Sequence, residues 1–253
     1  MDRIWLLIAS SAVVFISSLT VVDFGSVREA GSISALAVAL FAAPSFASFI
    51  RWAGWKKGTL ALAAVGATAT AVEGISVLTG FPYGRFSYSD ALGPLLLGTV
   101  PFALPLSYLP MLLGAVSVAR RISGTDRLRT VLSSAAILVA FDLALDPGAV
   151  AAGLWEWEDP GIYYGVPATN YLGWAMTGLA YSAAMLILLR KEAGSREMPP
   201  GISASAILTL SFWTGYLFKI GYPLPGTVGA ALIALVYCAS WLPVKGKQSA
   251  SSG

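Results

Sequence analysis

Apolar stretches of roughly 18 to 25 residues recur along the whole chain, near positions 4–22, 31–50, 58–80, 94–119, 130–151, 170–189, 202–219 and 224–243. That is the length an α-helix needs to cross ~30 Å of hydrocarbon. The pattern predicts an all-α fold, a polytopic transmembrane helical bundle of about eight spans. The count falls to seven if the segment from Gly221 to Gly226 is a re-entrant kink rather than a tight turn. The first run, Ile4 to Val22, is longer than a secretory h-region and has no A-x-A-like cleavage site after it, so it is expected to stay as the first helix. A single domain is expected over 1–244, followed by a polar, Ser/Gly-rich tail over 245–253 that is expected to be disordered.

Composition agrees with a bilayer as the solvent. Of the 253 residues, 57% are hydrophobic and only 11% charged, too little polar cover for a water-soluble globule of this size. The absence of histidine removes histidine-ligated haem, the usual zinc catalytic sites and any histidine general base. The one cysteine, Cys238, lies inside an apolar run and reads as a small core hydrophobe; no intrachain disulfide can form.

The net charge of +3 comes without an arginine-rich, aromatic-interleaved patch, so no nucleic acid partner is expected. The basic residues instead report topology. Thirteen of the 16 fall on alternate connections: Arg3; Arg51, Lys56 and Lys57; Arg120, Arg121, Arg127 and Arg129; Arg190, Lys191 and Arg196; Lys245 and Lys247. The other connections hold only Arg28, Arg85 and Lys219. The positive-inside rule then predicts a multi-pass protein of the cell membrane with both termini cytoplasmic.

Two features inside the spans call for explanation. The fourth run carries Pro94, Pro101, Pro105 and Pro110, which predicts a kinked, partly unwound helix, either tolerated as such or used as a cavity wall. Three carboxylates also sit in apolar runs: Glu73, Asp142 and Asp146. An ionised carboxylate at mid-membrane costs ~2.5 to 3.5 kcal/mol even on the lenient insertion scale. Asp142 and Asp146 are four apart, so they share a helix face and can couple through a proton or a bridging water. Glu73 lies at similar depth, and the three acids are expected to face one pocket. Structural alternatives are pairing with Arg85 or hydrogen bonding between helices.

Two aromatic and polar loops flank these spans, from Phe81 to Asp90 and from Trp155 to Asn170. Trp and Tyr there fit an interfacial belt. The interleaved Arg85, Asp90, Glu156, Glu158, Asp159 and Asn170 fit a lid over a pocket, whose aromatic faces can stabilise a cation.

The ordered motifs around these loops carry a resemblance. Glu73, the run from Gly80 to Tyr88, the run from Val100 to Leu106, Asp142 to Pro147, Trp155 to Trp157, Tyr163 to Asn170, and Gly173 with Trp174 together resemble the carotenoid biosynthesis membrane-protein family, which includes carotenoid 1,2-hydratases. The resemblance covers approximately residues 70 to 180. It implies addition of water to the terminal 1,2 double bond of an acyclic carotenoid end group within the bilayer, with carotenoid and water as the partners and no metal or organic cofactor.

Residue roles follow from the chemistry rather than from the resemblance. An isolated alkene must be protonated to a tertiary cation, captured by water and deprotonated, which needs a desolvated acid, a cation-stabilising wall and a base near water. The expected catalytic residues are Asp142 and Asp146 as the acid and Glu73 at the water. Tyr83, Tyr88, Trp155, Trp157 and Tyr164 are expected along the cation site, with Arg85, Asp90 and Asn170 as further substrate-binding residues. The alternative is a proton-coupled membrane carrier of a small or lipid-like solute, since paired buried acids on a kinked bundle also suit a proton relay.

Overall fold

The computed structural model describes residues 2–23 and 31–241. Arg28, Lys245, Lys247, the 245–253 tail and the side chain of Asp90 lie outside the described residues. Eight long helices appear in order: α1 (Asp2–Thr20), α2 (Gly31–Ala53), α3 (Trp55–Thr79), α4 (Leu104–Ser123), α5 (Arg127–Ala151), α6 (Ala168–Leu188), α8 (Ala204–Lys219) and α9 (Pro223–Trp241), with the short α7 (Arg190–Ser195) between α6 and α8. Four short strands join them, β1 (Phe86–Tyr88), β2 (Leu95–Leu96), β3 (Val100–Pro101) and β4 (Trp155–Trp157). Six of the helical stretches are long and apolar enough to cross a membrane, and α1 is a shorter apolar helix. The chain is thus a multi-pass, all-α bundle of six to eight spans. Large apolar side chains stand fully outward, among them Leu36, Leu60, Leu132, Leu172 and Ile187, as lipid-facing positions should.

The Gly221–Gly226 segment is a tight turn. α8 ends at Lys219, Gly221 adopts a positive φ of 76° and α9 starts at Pro223, where the missing proline donor would be unpaired in any case. The fourth run departs from expectation. Its first ten residues are not helix: 94–103 form a β2–β3 hairpin, and α4 begins only at Leu104. Pro94 and Pro101 therefore break no helix, Pro105 sits in the first turn, and Pro110 alone lies inside. Cys238 is also corrected: it is exposed on the outer face of α9, not in the core.

α4 is the central element. It packs against α2, α3, α5, α6, α8 and α9, and every residue from Tyr108 to Arg121 is buried. A helix wrapped by protein need not be apolar all round, which is why α4 tolerates Ser117, Arg120 and Arg121 and falls short of the hydropathy of its neighbours. Polar backbone inside the bundle is satisfied locally. Where Pro44 interrupts α2, the next residue exchanges hydrogen bonds with the first turn of α8: Ser45 N donates to Ser205 Oγ (3.1 Å) and Ser205 N to Ser45 Oγ (2.9 Å).

The basic connections collect at one end. Lys57, in the first turn of α3, pairs with Glu192 of α7 at 2.5 Å; Arg120 at the foot of α4 donates to the Ala193 carbonyl, and Arg121 to that of Met198 (2.8 Å). The 80–103 and 152–167 connections meet at the opposite end, where β1 and β4 pair antiparallel.

Candidate functional site

Glu73 lies on α3 six residues before its end, and Asp142 and Asp146 lie nine and five residues before the end of α5. At 1.5 Å per residue these depths are within about 6 Å of one another, so all three acids reach the same layer under the loop-bearing end. There they line one cavity of about 360 Å³, together with Tyr83, Tyr88, Trp155, Trp157 and Asn170. That is the scale of a small-molecule site. Eight of the eleven residues singled out from the sequence are thus brought together.

The aspartates do not meet through a bare like-charge contact. The Asn170 amide, in the first turn of α6, donates from Nδ2 to Asp142 Oδ2 (2.7 Å) and to Asp146 Oδ2 (2.6 Å). The three side chains are 3%, 1% and 4% exposed for Asn170, Asp142 and Asp146, so water does little to solvate their charge, and the amide supplies the donors. Asp142 Oδ1 has no hydrogen-bond partner among the described residues and is left with acceptor capacity in a cavity-lining group. Glu73 accepts from Tyr88 Oη at 2.6 Å. Burial, reinforced by the Glu73 charge, holds the Tyr88 phenol well above its ordinary pKa, so it remains a neutral donor.

The lid is a ribbon. Phe86 pairs with Trp157, Ser87 with Glu156 and Tyr88 with Trp155. Strand side chains alternate between faces, so four aromatic rings fall on one face while Ser87 and Glu156 are exposed on the other. The rings touch: Phe86–Trp157 centroids are 5.8 Å apart, Tyr88–Trp155 5.9 Å and Phe86–Tyr88 5.3 Å. Tyr83 anchors the ribbon to α6. Its carbonyl accepts from Trp157 Nε1 (3.2 Å) and its Oη donates to Thr177 Oγ1 (3.1 Å). The ring lies so close to Gly173 that any Cβ there would collide with it, which is the physical reason for a glycine at that turn of α6.

Two expected residues stand elsewhere. Arg85 is exposed, does not line the cavity and forms an ion pair with none of the three acids, which removes it as their structural partner. Tyr164 stacks on Tyr222 at 4.5 Å, also outside the cavity wall. Sequence reasoning missed Tyr108. It lines the cavity from α4, 8% exposed, packed on Trp174 (5.3 Å) and Tyr181 (5.7 Å), with its hydroxyl near Thr177 of α6. Tyr108 also lies within electrostatic range of both Glu73 and Asp142. Its signal was a phenol in a membrane-depth helix, where a hydroxyl needs a partner. Away from this polar corner the wall is apolar, with Phe41 of α2 and Phe212 of α8. Among the described residues no group of three or more His, Cys, Asp or Glu is placed to hold a metal ion.

A multi-pass helical membrane protein with buried acids opening on an aromatic-roofed cavity is the class that fold and site define. Residues 31–236 match the family described as carotenoid biosynthesis protein, and the chain belongs to that family. It is 42% identical over 135 residues, 52% of its length, to the bisanhydrobacterioruberin hydratase of Haloarcula japonica. The match covers 45% of that relative, so the chain spans about half the length of the curated protein it resembles. No solved structure matches. Neither comparison lends support to a carrier.

The amide bridge makes a measurable prediction. Asn170→Leu removes the donors to both carboxyl groups and is expected to destabilise the fold by about 1–3 kcal/mol, read as a lower melting temperature in detergent. Asn170→Leu combined with Asp142→Leu should recover part of that loss, because removing both partners is cheaper than orphaning one. An unchanged melting temperature for the single variant would show that the bridge does not carry the pair.

Proposed function

We propose that the protein is a carotenoid hydratase, a hydro-lyase that adds water across the terminal 1,2 double bond of an acyclic carotenoid end group. The observation that carries this reading is the amide-bridged aspartate pair opening onto an aromatic-walled cavity inside a bilayer-spanning bundle. Family membership and the hydratase relative support it.

The chemistry runs on residues already in place. The aspartate pair, holding one proton between two carboxyl groups, delivers it to the less substituted alkene carbon. The electron pair of the double bond forms the new C–H bond and leaves a tertiary cation. Asn170 N–H donors stabilise the charge that stays on the carboxyl pair. The ring faces of Tyr88, Trp155 and Trp157 stabilise the cation. Water, oriented by Glu73 and the Tyr108 hydroxyl, forms the C–O bond and gives up a proton to Glu73. Proton exchange between the acids through water restores the starting state, so no oxidant, reductant or cofactor enters the balance. A cavity of this volume takes the end group, while the polyene extends along the apolar arm beside Phe41 and Phe212 towards lipid.

Expression in a host that accumulates acyclic carotenoids, in heavy-oxygen water, is expected to give a product heavier by one labelled water per modified end. An unlabelled hydroxyl oxygen would turn the assignment towards an oxygenase, and no product from any acyclic substrate would remove it.

The division of roles is tested by substitution. Asp142→Asn and Asp146→Asn should each lower turnover at least ~10²-fold with folded protein unchanged, the typical worth of a general acid. Glu73→Gln and Tyr108→Phe should cost less, because each leaves part of the water contacts intact. Near-normal turnover per folded molecule in both aspartate variants would discard the pair as the acid.

We also infer cytoplasmic termini in the cell membrane, from the basic residues gathered at the α2–α3, α4–α5 and α6–α8 connections. With Cys238 replaced by Ser, a cysteine at exposed Asp159 should react with an impermeant label from outside intact cells and one at Ser195 should not. The reverse pattern would invert the orientation.

A further inference from the structure

The end of the bundle away from the cavity holds a second recess, of about 160 Å³, lined by Arg120, Arg127 and Arg190 with Thr125, Ala193 and Gly194. No carboxylate lines it. The stretches 51–57, 120–129 and 190–197 together carry ten Lys and Arg against three acids, and those acids are engaged elsewhere. Asp126 caps α5 through Arg129 N (3.0 Å) and pairs with Arg129 Nε (3.2 Å). Glu192 takes Lys57 at 2.5 Å. Glu197 acts on Arg121. Among the described residues no ion pair reaches Arg127 or Arg190.

The recess is nonetheless held in shape. Arg120 is buried, its guanidinium fixed by the Gly124 carbonyl (2.8 Å) and the Ala193 carbonyl, and Arg127 lies near enough for the two charges to repel. Like charges drawn around a concavity without a counter-charge are unfavourable, and an anion entering it reverses the sign of the interaction. Guanidinium forks suit phosphate oxygens, which they bind in pairs. A Cβ built on Gly194 meets nothing within 4 Å, so the mouth is open.

We propose that this recess binds a phosphate group, carried by an anionic lipid headgroup or as free phosphate. Its place at the polar end of membrane-length helices puts the three guanidinium groups where headgroups lie, and a basic pocket between helices is a recurrent headgroup site. The proposal is independent of the reaction in the cavity.

The test uses the full chain in nanodiscs. Native mass spectrometry after exchange into phosphatidylcholine discs doped with phosphatidylglycerol should retain the anionic lipid, and Arg127→Gln/Arg190→Gln should lower its occupancy at least about tenfold, as expected for losing two charge-assisted contacts. The control Arg51→Gln/Lys56→Gln removes the same charge from exposed positions at the same end and should retain it. Gly194→Glu, which sets a carboxylate at the open mouth, should abolish retention by a second route. Calorimetric titration with inorganic phosphate in pure phosphatidylcholine discs is the other arm. Lipid lost in the recess variants but kept in the control, with no phosphate binding, assigns the site to a headgroup, and saturable phosphate binding lost in the recess variants assigns it to the free ion. Equal loss in the recess and control variants, or no anion held in either arm, overturns the proposal.

Discussion

Two carboxyl groups one helical turn apart, inside a bundle whose outer surface faces lipid, are held together by their own contact and by one amide that donates to both. Each aspartate presents an oxygen to Asn170 Nδ2, at 2.7 and 2.6 Å. Both donors of one side chain are thereby used on one face of α5. This places a demand on the chain around it. Asn170 can serve only if α6 begins at Ala168, so that its first turn lies level with the last turns of α5, and Pro167, extended at φ −78° and ψ 153°, starts the helix there. The 152–167 connection is in turn held by its pairing to β1 and by Trp157 Nε1, which donates to the Tyr83 carbonyl. The lid and the acid pair are mechanically one assembly.

Apolarity reports contact with lipid rather than depth in the fold, and α4 separates the two. It is the most enclosed helix described, touching six others, yet its two arginines and three serines lower its hydropathy below that of helices on the rim. Enclosure is also what lets it carry Tyr108, whose hydroxyl would be costly against lipid but faces a polar corner here. Polar residues at membrane depth are thus affordable only where other helices supply partners, and the same helices then enclose a site.

This explains what could be read from sequence. The helices were legible because lipid contact writes long apolar runs, and the gathering of basic residues at one end of the bundle because they alternate between connections. Glu73, Asp142 and Asp146 stood out as charges with no bland place in hydrocarbon. Asn170 was legible as a polar residue at the right loop, but its bridging role needs the start of α6 relative to the end of α5, which no spacing within one helix reveals. The ribbon was hidden because Phe86–Tyr88 and Trp155–Trp157 are only three residues each and pair across 66 intervening positions. The prolines of the fourth run were legible in part: the run is partly unwound and Pro101 and Pro110 line the cavity, but Pro94 and Pro101 belong to a hairpin, where proline costs little, rather than to a kinked helix. Arg85 and Tyr164 were drawn in by nearness in sequence to residues that do line the cavity, although Arg85 is exposed and Tyr164, at a positive φ of 52°, packs against Tyr222.

The distribution of polarity inside the cavity decides what an alkene would meet there. Glu73, Tyr88, Tyr108, Asp142 and Asp146 gather on the side of α3, α4 and α5, whereas Phe41 and Phe212 bring ring faces from α2 and α8. On the proposed function, the unmodified alkene end of the substrate has no polar group with which to orient itself, so orientation must come from where it is excluded. Under that proposal the polyene is disfavoured in the polar corner and the water in the apolar arm, which favours the terminal double bond at the acids and the chain leading away. Such sorting also bears on the fate of the cation. In a wholly apolar site it would lose a proton or be attacked by a neighbouring double bond of its own chain. Under the proposed reaction, a corner with three carboxyl groups and two phenols would hold water within reach of the cationic carbon, and the aromatic roof would limit the access of bulk water to the acid. On this reading hydration rather than cyclisation follows from the position of water relative to the ribbon, and the residues that control it are Glu73, Tyr88 and Tyr108 more than the acid itself.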